Sequence, residues 1–198
     1  MDRNEEKRRF VPKTEAEIRA SWVGEPKPLT QKIQIVDYDP EWPRLFEREA
    51  QRIRGILGER VVMLEHVGST SVPGLAAKPR IDMLLVVPDS SDKTSYVLPL
   101  EAAGYKLVIR EPDWYEHRVF KGPDRDVNLH VFSPGCVEIE RMLLFRDWLR
   151  SHPDDRGLYQ ITKRELAAKD WKYTQNYADA KTEVVEAIIA RAKAAGRT

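Results

Sequence analysis

The sequence predicts one α/β domain, and three observations carry that expectation. Short β-branched and aliphatic runs, Val61 to Leu64 and Ile81 to Val87, are flanked on both sides by segments of helical spacing, the pattern of strands combined with helices. At 198 residues and 41% hydrophobic content, the chain suits one well-packed core rather than two. From Val137 onward the apolar residues recur at helical spacing only, so the C-terminal part reads as helices.

Residues 1–30 begin with mixed charges (Asp2, Arg3, Glu5, Glu6, Lys7, Arg8, Arg9) and later place Gly24, Pro26 and Pro28 close together. This composition reads as a flexible N-terminal extension, with the domain spanning residues 31–198. Ala16, Ile18 and Trp22 are spaced to dock on a core, but a solvated tail is the expectation. Gln31 to Tyr38 alternates Ile33 and Ile35 with polar neighbours, as a half-buried strand would. Asp39-Pro40-Glu41 then starts a helix that places Trp42, Leu45, Phe46, Ile53 and Leu57 near one face and ends at Gly58. Trp42 and Phe46 are aromatic enough for base stacking, yet at helical spacing they belong to packing.

Further along, Val61 to Leu64 has the composition of a buried strand and delivers the Gly68-Ser69 turn. Ile81 to Val87 is the next strand. Ser90 to Ala103 reads as a helix stopped by Gly104, and Tyr105 to Ile109 as a strand, continuing the β-α-β order. Glu116 to Lys121 and Asp126 to Phe132 follow as a hairpin around Gly122-Pro123-Asp124. Period-2 alternation in the second of these points Asp126, Asn128 and His130 one way and Val127, Leu129 and Val131 the other. His130 and Asp82 are therefore expected in one cleft, with Leu129 and Val131 buried. Three helices complete the chain, one from Val137 to His152-Pro153, one past Leu166, and one from about Lys172 to Ala194.

Charge and cysteine content narrow the function. Lys and Arg total 33 against 32 Asp and Glu, so no global excess points to nucleic acid or an anionic membrane surface. The single Cys136 excludes an intrachain disulfide and a cysteine-based zinc cluster, and fits a reducing cytosol. No apolar segment approaches the ~20 residues of a membrane span. A cytoplasmic protein is expected.

The residues from His66 to Val87 hold the densest chemistry. Gly68 permits close backbone approach to a ligand, and the Ser69, Thr70 and Ser71 hydroxyls suit an anion such as phosphate. Ser-Thr-Ser runs are also ordinary turn chemistry, so the alternative is purely structural. Asp82 stands alone among apolar residues, and a buried carboxylate needs a hydrogen bond, an ion pair or a cation.

From Glu65 to Asp82 the chain reads Glu-His-Val-Gly-Ser-Thr-Ser-Val-Pro-Gly-Leu-Ala-Ala-Lys-Pro-Arg-Ile-Asp. It thereby resembles the GrpB family, which carries this signature with other residues at Ala77 and Arg80. Phe145-Arg146-Asp147-Trp148-Leu149-Arg150-Ser151-His152-Pro153 and Tyr177-Ala178-Asp179-Ala180-Lys181 extend the resemblance to roughly Ile33 through Ile189. The family is similar in fold to the nucleotidyltransferase superfamily, which combines a Gly-Ser turn, an acid-x-acid strand and a third acid on a later strand. The resemblance thus implies a nucleotidyltransferase-like mixed sheet flanked by helices, with C-terminal helices. It also implies binding of a nucleoside triphosphate or other phosphorylated small molecule, Mg²⁺ as a possible cofactor, and nucleotidyl transfer to an unknown acceptor.

The match departs from that scheme at one point. The strand reads Asp82-Met83-Leu84, so the second acid is missing. Asp82 is expected to bind one Mg²⁺ with help from phosphates. Asn128 and His130 stand where the third acid would be, and because imidazole prefers zinc, copper, nickel or iron, His130 is read as a general base or substrate contact. Lys78, in the loop after the Gly-Ser turn, suits a phosphate, or is a solvated loop lysine. Arg118, Lys121 and Arg146 are candidates because the family pattern has basic residues there. Tyr177 and Lys181, four apart, share a helical face and meet either a ligand or each other. His66 is read as a turn histidine or a catalytic one. GrpB-like domains occur fused to dephospho-CoA kinase, which implies a functional link and supports the rival reading of an accessory module without chemistry. A metal-dependent hydrolase would use His66, His130 and Asp82, but the ligand spacing is lacking.

Overall fold

The structure, a computed structural model, describes residues 11–196. Its centre is a five-stranded mixed sheet built from β1 (Met63–Val67), β2 (Ile81–Val86), β3 (Lys106–Glu111), β4 (His117–Lys121) and β5 (Val127–Phe132), in the order β1-β2-β5-β4-β3. Only β2 and β5 run parallel; the other three pairings are antiparallel. The α/β (α+β) expectation is met, with helices on both faces.

Side chains alternate across the sheet, and the two faces divide the work. On one face Ile81, Met83, Leu85, Val127, Leu129, Val131 and Phe120 are buried against α2 (Trp42–Leu57) and α3 (Lys93–Ala102). Trp42, Phe46, Ala50, Ile53 and Leu57 form the inward stripe of α2, and Gly58 ends it at φ +57°. On the other face α4 (Val137–Ser151) covers Val67, Leu84, Val86 and Phe132 through Ile139. This second face is only partly covered, and the rest of it is open.

Beyond α4, α5 (Pro153–Ala167) begins with Pro153 at its first turn, the break expected at His152-Pro153. The last helix expected from sequence is two helices, α6 (Thr174–Ala180) and α7 (Thr182–Ala195), which turn at Lys181. Among the described residues no helix is long and apolar enough to cross a membrane.

Three other expectations are corrected. Gln31 to Tyr38 is not a sheet strand: it forms a single bridge from Val36 to Ala77, with N–H···O distances of 2.9 Å each way. Its neighbour is the loop before β2, where the N–H groups of Leu75, Ala76 and Arg80 donate to Val72 O, Gln160 Oε1 and Lys78 O and Pro79 has none, so no ladder extends from the bridge. The strand expected at Val61 to Leu64 is β1, shifted towards the turn, and as a sheet edge it leaves Val62 and Met63 exposed. Finally, the described part of the N-terminal extension is not a solvated tail. Helix α1 (Glu15–Ser21) has a capping box between Thr14 and Glu17, and Ile18 is buried. Val23 N–H donates to Val108 O at 3.0 Å, beside a Trp22–Ile109 bridge, so the segment lies against the β3 edge, while residues 1–10 lie outside the described ones.

A docked segment should be felt in stability. Ile18→Ala is expected to cost about 2–4 kcal/mol, the range for truncating a buried aliphatic side chain. Urea denaturation followed by circular dichroism checks it; a change under about 0.5 kcal/mol would indicate an undocked segment.

Candidate functional site

The open part of the second sheet face is floored by residues that cross-strand register sets in rows. Lys121, Asn128 and Asp82 form one row across β4, β5 and β2, and Ile109, Val119 and His130 belong to the next. The loop carrying Ser69, Thr70, Lys78 and Arg80, together with Lys163 of α5 and Tyr177 and Lys181 of the α6–α7 turn, walls this floor. The cleft encloses about 420 Å³, within the range of small-molecule sites.

Asp82 sits at the head of β2, where Asn128 Nδ2 donates to its Oδ1 at 2.8 Å. Its other oxygen lies under Gly68. At φ +70° and ψ −172° Gly68 occupies a region open almost only to glycine, and a Cβ there would come 2.6 Å from Asp82 Oδ2. The glycine thus lets the β1–β2 connection close over the carboxylate.

Three of the hydroxyl and imidazole candidates turn inward. Thr70 Oγ1 donates to Arg80 O at 3.0 Å and meets His66 Nε2 at 3.1 Å, and Ser71 Oγ donates to Gly68 O at 2.6 Å. His66 pairs with Met83, which places it on the α2 face, stacked on Phe46 with ring centroids 4.8 Å apart. Burial pulls its pKa down to about 4. His66 is a neutral core histidine away from the cleft. Ser69 is the hydroxyl of the turn with no hydrogen bond of its own among the described residues.

Cations dominate the walls. Arg80 Nε and Lys121 Nζ share Asp126 Oδ1 at 2.8 and 3.1 Å. Lys78 Nζ and Lys181 Nζ lie 5.1 and 4.7 Å from the Tyr177 ring centroid, and neither has a carboxylate partner among the described residues. Burial, then the charges of Arg80 and Lys181, lower the Lys78 pKa to about 7. Lys163 Nζ donates to Ala76 O, and burial, with Lys181, Arg164 and Lys78 adding to it, lowers its pKa to about 6. The Tyr177 hydroxyl is directed at Lys163 O at 3.5 Å. Tyr177 is a buried platform for two ammonium groups.

His130 faces the cleft, as the alternation predicts, and continues into a chain of titratable groups. Its Nδ1 meets His117 Nε2 at 3.1 Å, His117 Nδ1 meets Glu111 Oε2 at 2.7 Å, and Lys13 Nζ closes the chain on Glu111 Oε1. Burial would raise the Glu111 pKa, but hydrogen bonds from His117 and Lys13 outweigh it and hold the carboxyl at about 2. Burial, then His117, lowers His130 to about 4. A neutral His130 is therefore held by its Nδ1 atom.

Two sequence candidates lie elsewhere. Arg118 pairs with Val131 and so points to the α2 and α3 face, where its guanidinium donates to Glu116 O and, at 2.9 Å, to Glu116 Oε2. Arg146 of α4 donates to Glu65 Oε2 at 2.7 Å and His66 O at 3.0 Å, tying α4 to β1. Neither lines the cleft. Conversely, Trp22, Lys27, Arg80 and Lys163 line it without having been singled out as ligands. For Lys163 a signal existed: it stands four residues from both Tyr159 and Ala167, in the buried stripe of α5.

The sequence profile of the GrpB family, described as GrpB protein, matches residues 32–191. The chain belongs to the GrpB family. A GrpB relative, UPF0157 protein BH1888 of Halalkalibacterium halodurans, is 59% identical over 184 residues, covering 93% of this chain and 94% of the relative. The crystal structure of the conserved protein GrpB from Enterococcus faecalis superposes with a TM-score of 0.71 at 32% identity, covering 80% of this chain and 96% of that one. GLD-2 in its complex with RNP-8 gives a TM-score of 0.50 at 14% identity over 75% of this chain and 60% of that one, a likeness of the nucleotidyltransferase fold alone. A dephospho-CoA kinase of Mycolicibacterium paratuberculosis is 32% identical over 158 residues, which are 67% of this chain and 39% of that enzyme.

A magnesium centre of the nucleotidyltransferase kind needs clustered carboxylates, and the described residues of this GrpB protein do not assemble them. Among the described residues no three His, Cys, Asp or Glu side chains group as metal ligands. Leu84, at the second acid's position, is wholly buried under α4 with Val67, Val86 and Phe132. Asp82 accepts from an amide donor, and its charge acts on the Lys78 and Lys121 ammonium groups and on His130. These residues do not fit a resident divalent ion, and suit an anion.

Two measurements probe this geometry. Gly68→Ala should lose at least about 1–3 kcal/mol from backbone strain alone, read from the denaturation midpoint. The second concerns Lys78, whose pKa falls from 10.5 unfolded to about 7 folded. Between those values the unfolded chain holds more protons, so stability rises with pH, and the penalty is fully present below about 7. Lys78→Met should flatten the rise in unfolding free energy from pH 7 to 10, with Lys163 still contributing in the same sense.

Proposed function

We propose that this GrpB protein binds a nucleoside triphosphate or another phosphorylated small molecule, with the phosphates lying between Ser69, Lys78 and Lys181. One observation carries the reading: among the described residues two ammonium groups face a single aromatic ring without an ion-pair partner, and the Asp82 carboxylate offsets only part of the repulsion that Lys78 meets from Arg80 and Lys181. Like charges held together in a half-buried site are costly, and a bound polyanion would relieve that cost. Arg80 and Lys121, already sharing Asp126, add a further positive field. Ser69 rather than Thr70 is the hydroxyl contact, since the Thr70 hydroxyl is committed to Arg80 O and His66.

Calorimetry with ATP, GTP, CTP, UTP and inorganic tripolyphosphate tests the reading. Lys78→Ala and Lys181→Ala should each weaken binding roughly tenfold, the scale of one lost charge-assisted contact. Because the cations and not a metal carry the affinity, binding should persist in EDTA. Affinity should rise as pH falls through about 7, where Lys78 gains its proton. Absence of binding to every probe at millimolar concentration would sink the proposal.

Nucleotidyl transfer to an acceptor, with Asp82 and His130 as the acting groups, is the chemistry that the fold would bring. The burial of Leu84 favours the second reading, a binding or accessory module that kept the anion pocket without the chemistry. The kinship with dephospho-CoA kinase supports a module working beside a phosphoryl-handling enzyme. Labelled ATP with Mg²⁺ or Mn²⁺ and cell extract separates the two. Labelled product lost in Asp82→Asn supports transfer; ligand binding with no turnover in wild type supports the module.

A further inference from the structure

The cleft has a second end that the phosphate reading leaves unused. Where the N-terminal segment meets the sheet edge, the lining is Trp22, Ile109, Val119 and Tyr173. Trp22 lies outside residues 32–191, the span matched by the family profile. Its position is fixed from both sides. The Trp22–Ile109 bridge and the 3.0 Å bond from Val23 N–H to Val108 O hold it to the sheet edge. On the other side, Tyr173 Oη donates to Glu15 Oε1 at 3.3 Å, Lys172 pairs with Glu15, and Lys13 N–H donates to Asp179 Oδ2 at 2.9 Å, binding the segment to α6 and the residues before it.

Among the described residues the indole itself has no ring or hydrogen-bond partner. Trp42 packs on Tyr38, Trp114 on His117 and Phe132, and the Trp148 and Trp171 indoles donate to Asp155 and Leu166 O. Among the described residues Trp22 makes neither a ring contact nor an indole hydrogen bond. A half-buried indole held in place over an aliphatic floor, with no ring packed on it among the described residues, is an incomplete stacking site. Tryptophan has the payload to complete it with a planar aromatic ligand group.

We propose that Trp22, with Ile109, Val119 and Tyr173, seats the planar aromatic group of the ligand whose phosphates lie at Lys78 and Lys181, so that the N-terminal segment makes the cleft select a nucleotide over a bare polyphosphate. This rests on the phosphate reading above. The amphiphilic cleft then matches an amphiphilic ligand, aromatic at the β3 edge and anionic at the α6–α7 turn.

The test measures ATP, GTP, CTP, UTP and tripolyphosphate on the full chain, as wild type, Trp22→Ala and Trp22→Phe. Wild type should bind at least one nucleotide about tenfold more tightly than tripolyphosphate, a modest value for base stacking on an aromatic side chain. Trp22→Ala should abolish that preference and leave tripolyphosphate affinity within about twofold. Trp22→Phe should keep most of the preference while losing the nucleotide-induced quenching of tryptophan fluorescence, a readout that holds even if Trp22→Ala does not fold. Equal loss for both probe classes in a folded Trp22→Ala, no loss for either, or quenching unchanged in Trp22→Phe would overturn the seat. Tripolyphosphate bound by a wild type that shows no preference for nucleotides overturns the seat and leaves the phosphate reading standing. Silence towards all probes overturns both.

Discussion

The parallel, in-register pairing of β2 with β5 is the constraint from which the rest follows. Because Asp82 stands opposite Asn128 and Leu84 opposite His130, one register sends both polar side chains of β5 to the face that carries Asp82. The same alternation sends Ile81, Met83, Leu85, Val127, Leu129 and Val131 to the core under α2 and α3. A slip of one residue would exchange the two sets, burying the carboxylate and exposing the aliphatic residues, so the apolar face specifies the register and the polar face inherits it. The Asn128–Asp82 hydrogen bond is thus placed by packing on the far side of the sheet.

That register also explains why the cleft is positive. Its floor holds one carboxylate, Asp82, while the loop from Gly68 to Arg80, α5 and the α6–α7 turn converge on it with basic residues. Two devices make this crowding tolerable without a ligand. Asp126 at the head of β5 serves Arg80 and Lys121 together, and burial with mutual repulsion pulls the Lys78 and Lys163 pKa values towards neutrality, so part of the charge is shed near neutral pH. The apolar stems of these lysines and the Tyr177 ring supply the packing that the charges cannot. A polyanion entering such a site meets groups able to take up protons, which couples binding to pH.

What the sequence made legible follows from range. Strand alternation is local, so the shared face of Asp82 and His130 and the burial of Leu129 and Val131 were readable from a few residues. The Gly-Ser turn was readable as a motif, yet which hydroxyl it frees was not, because Thr70 is claimed by a carbonyl ten residues on. Arg118 and Arg146 looked like ligands because basic residues in a family pattern carry no mark of direction; register turned one to the core face and a contact between α4 and β1 took the other. The N-terminal segment was read from its charge and proline content. That composition describes the chain's cost of ordering, not the β3 edge that stood ready to accept Val23 and shelter Ile18.

The same segment reaches the cleft by a second route, through Lys13, Glu111, His117 and His130. With Glu111 held ionised, His117 directs a proton from Nδ1 to the carboxylate. His130 meets His117 Nε2 with its own Nδ1, so the two rings share one hydrogen bond that turns the His130 Nε2 edge away from His117. The lowered pKa of His130 agrees with this arrangement, since the chain satisfies the neutral ring and burial penalises the charged one. One carboxylate at the β3 edge thereby anchors an imidazole two strands away through His117, and Lys13 steadies that carboxylate from outside residues 32–191. Docking of the N-terminal segment therefore shapes the cleft twice, once by lining it with Trp22 and once by holding the Glu111 charge that orients His130.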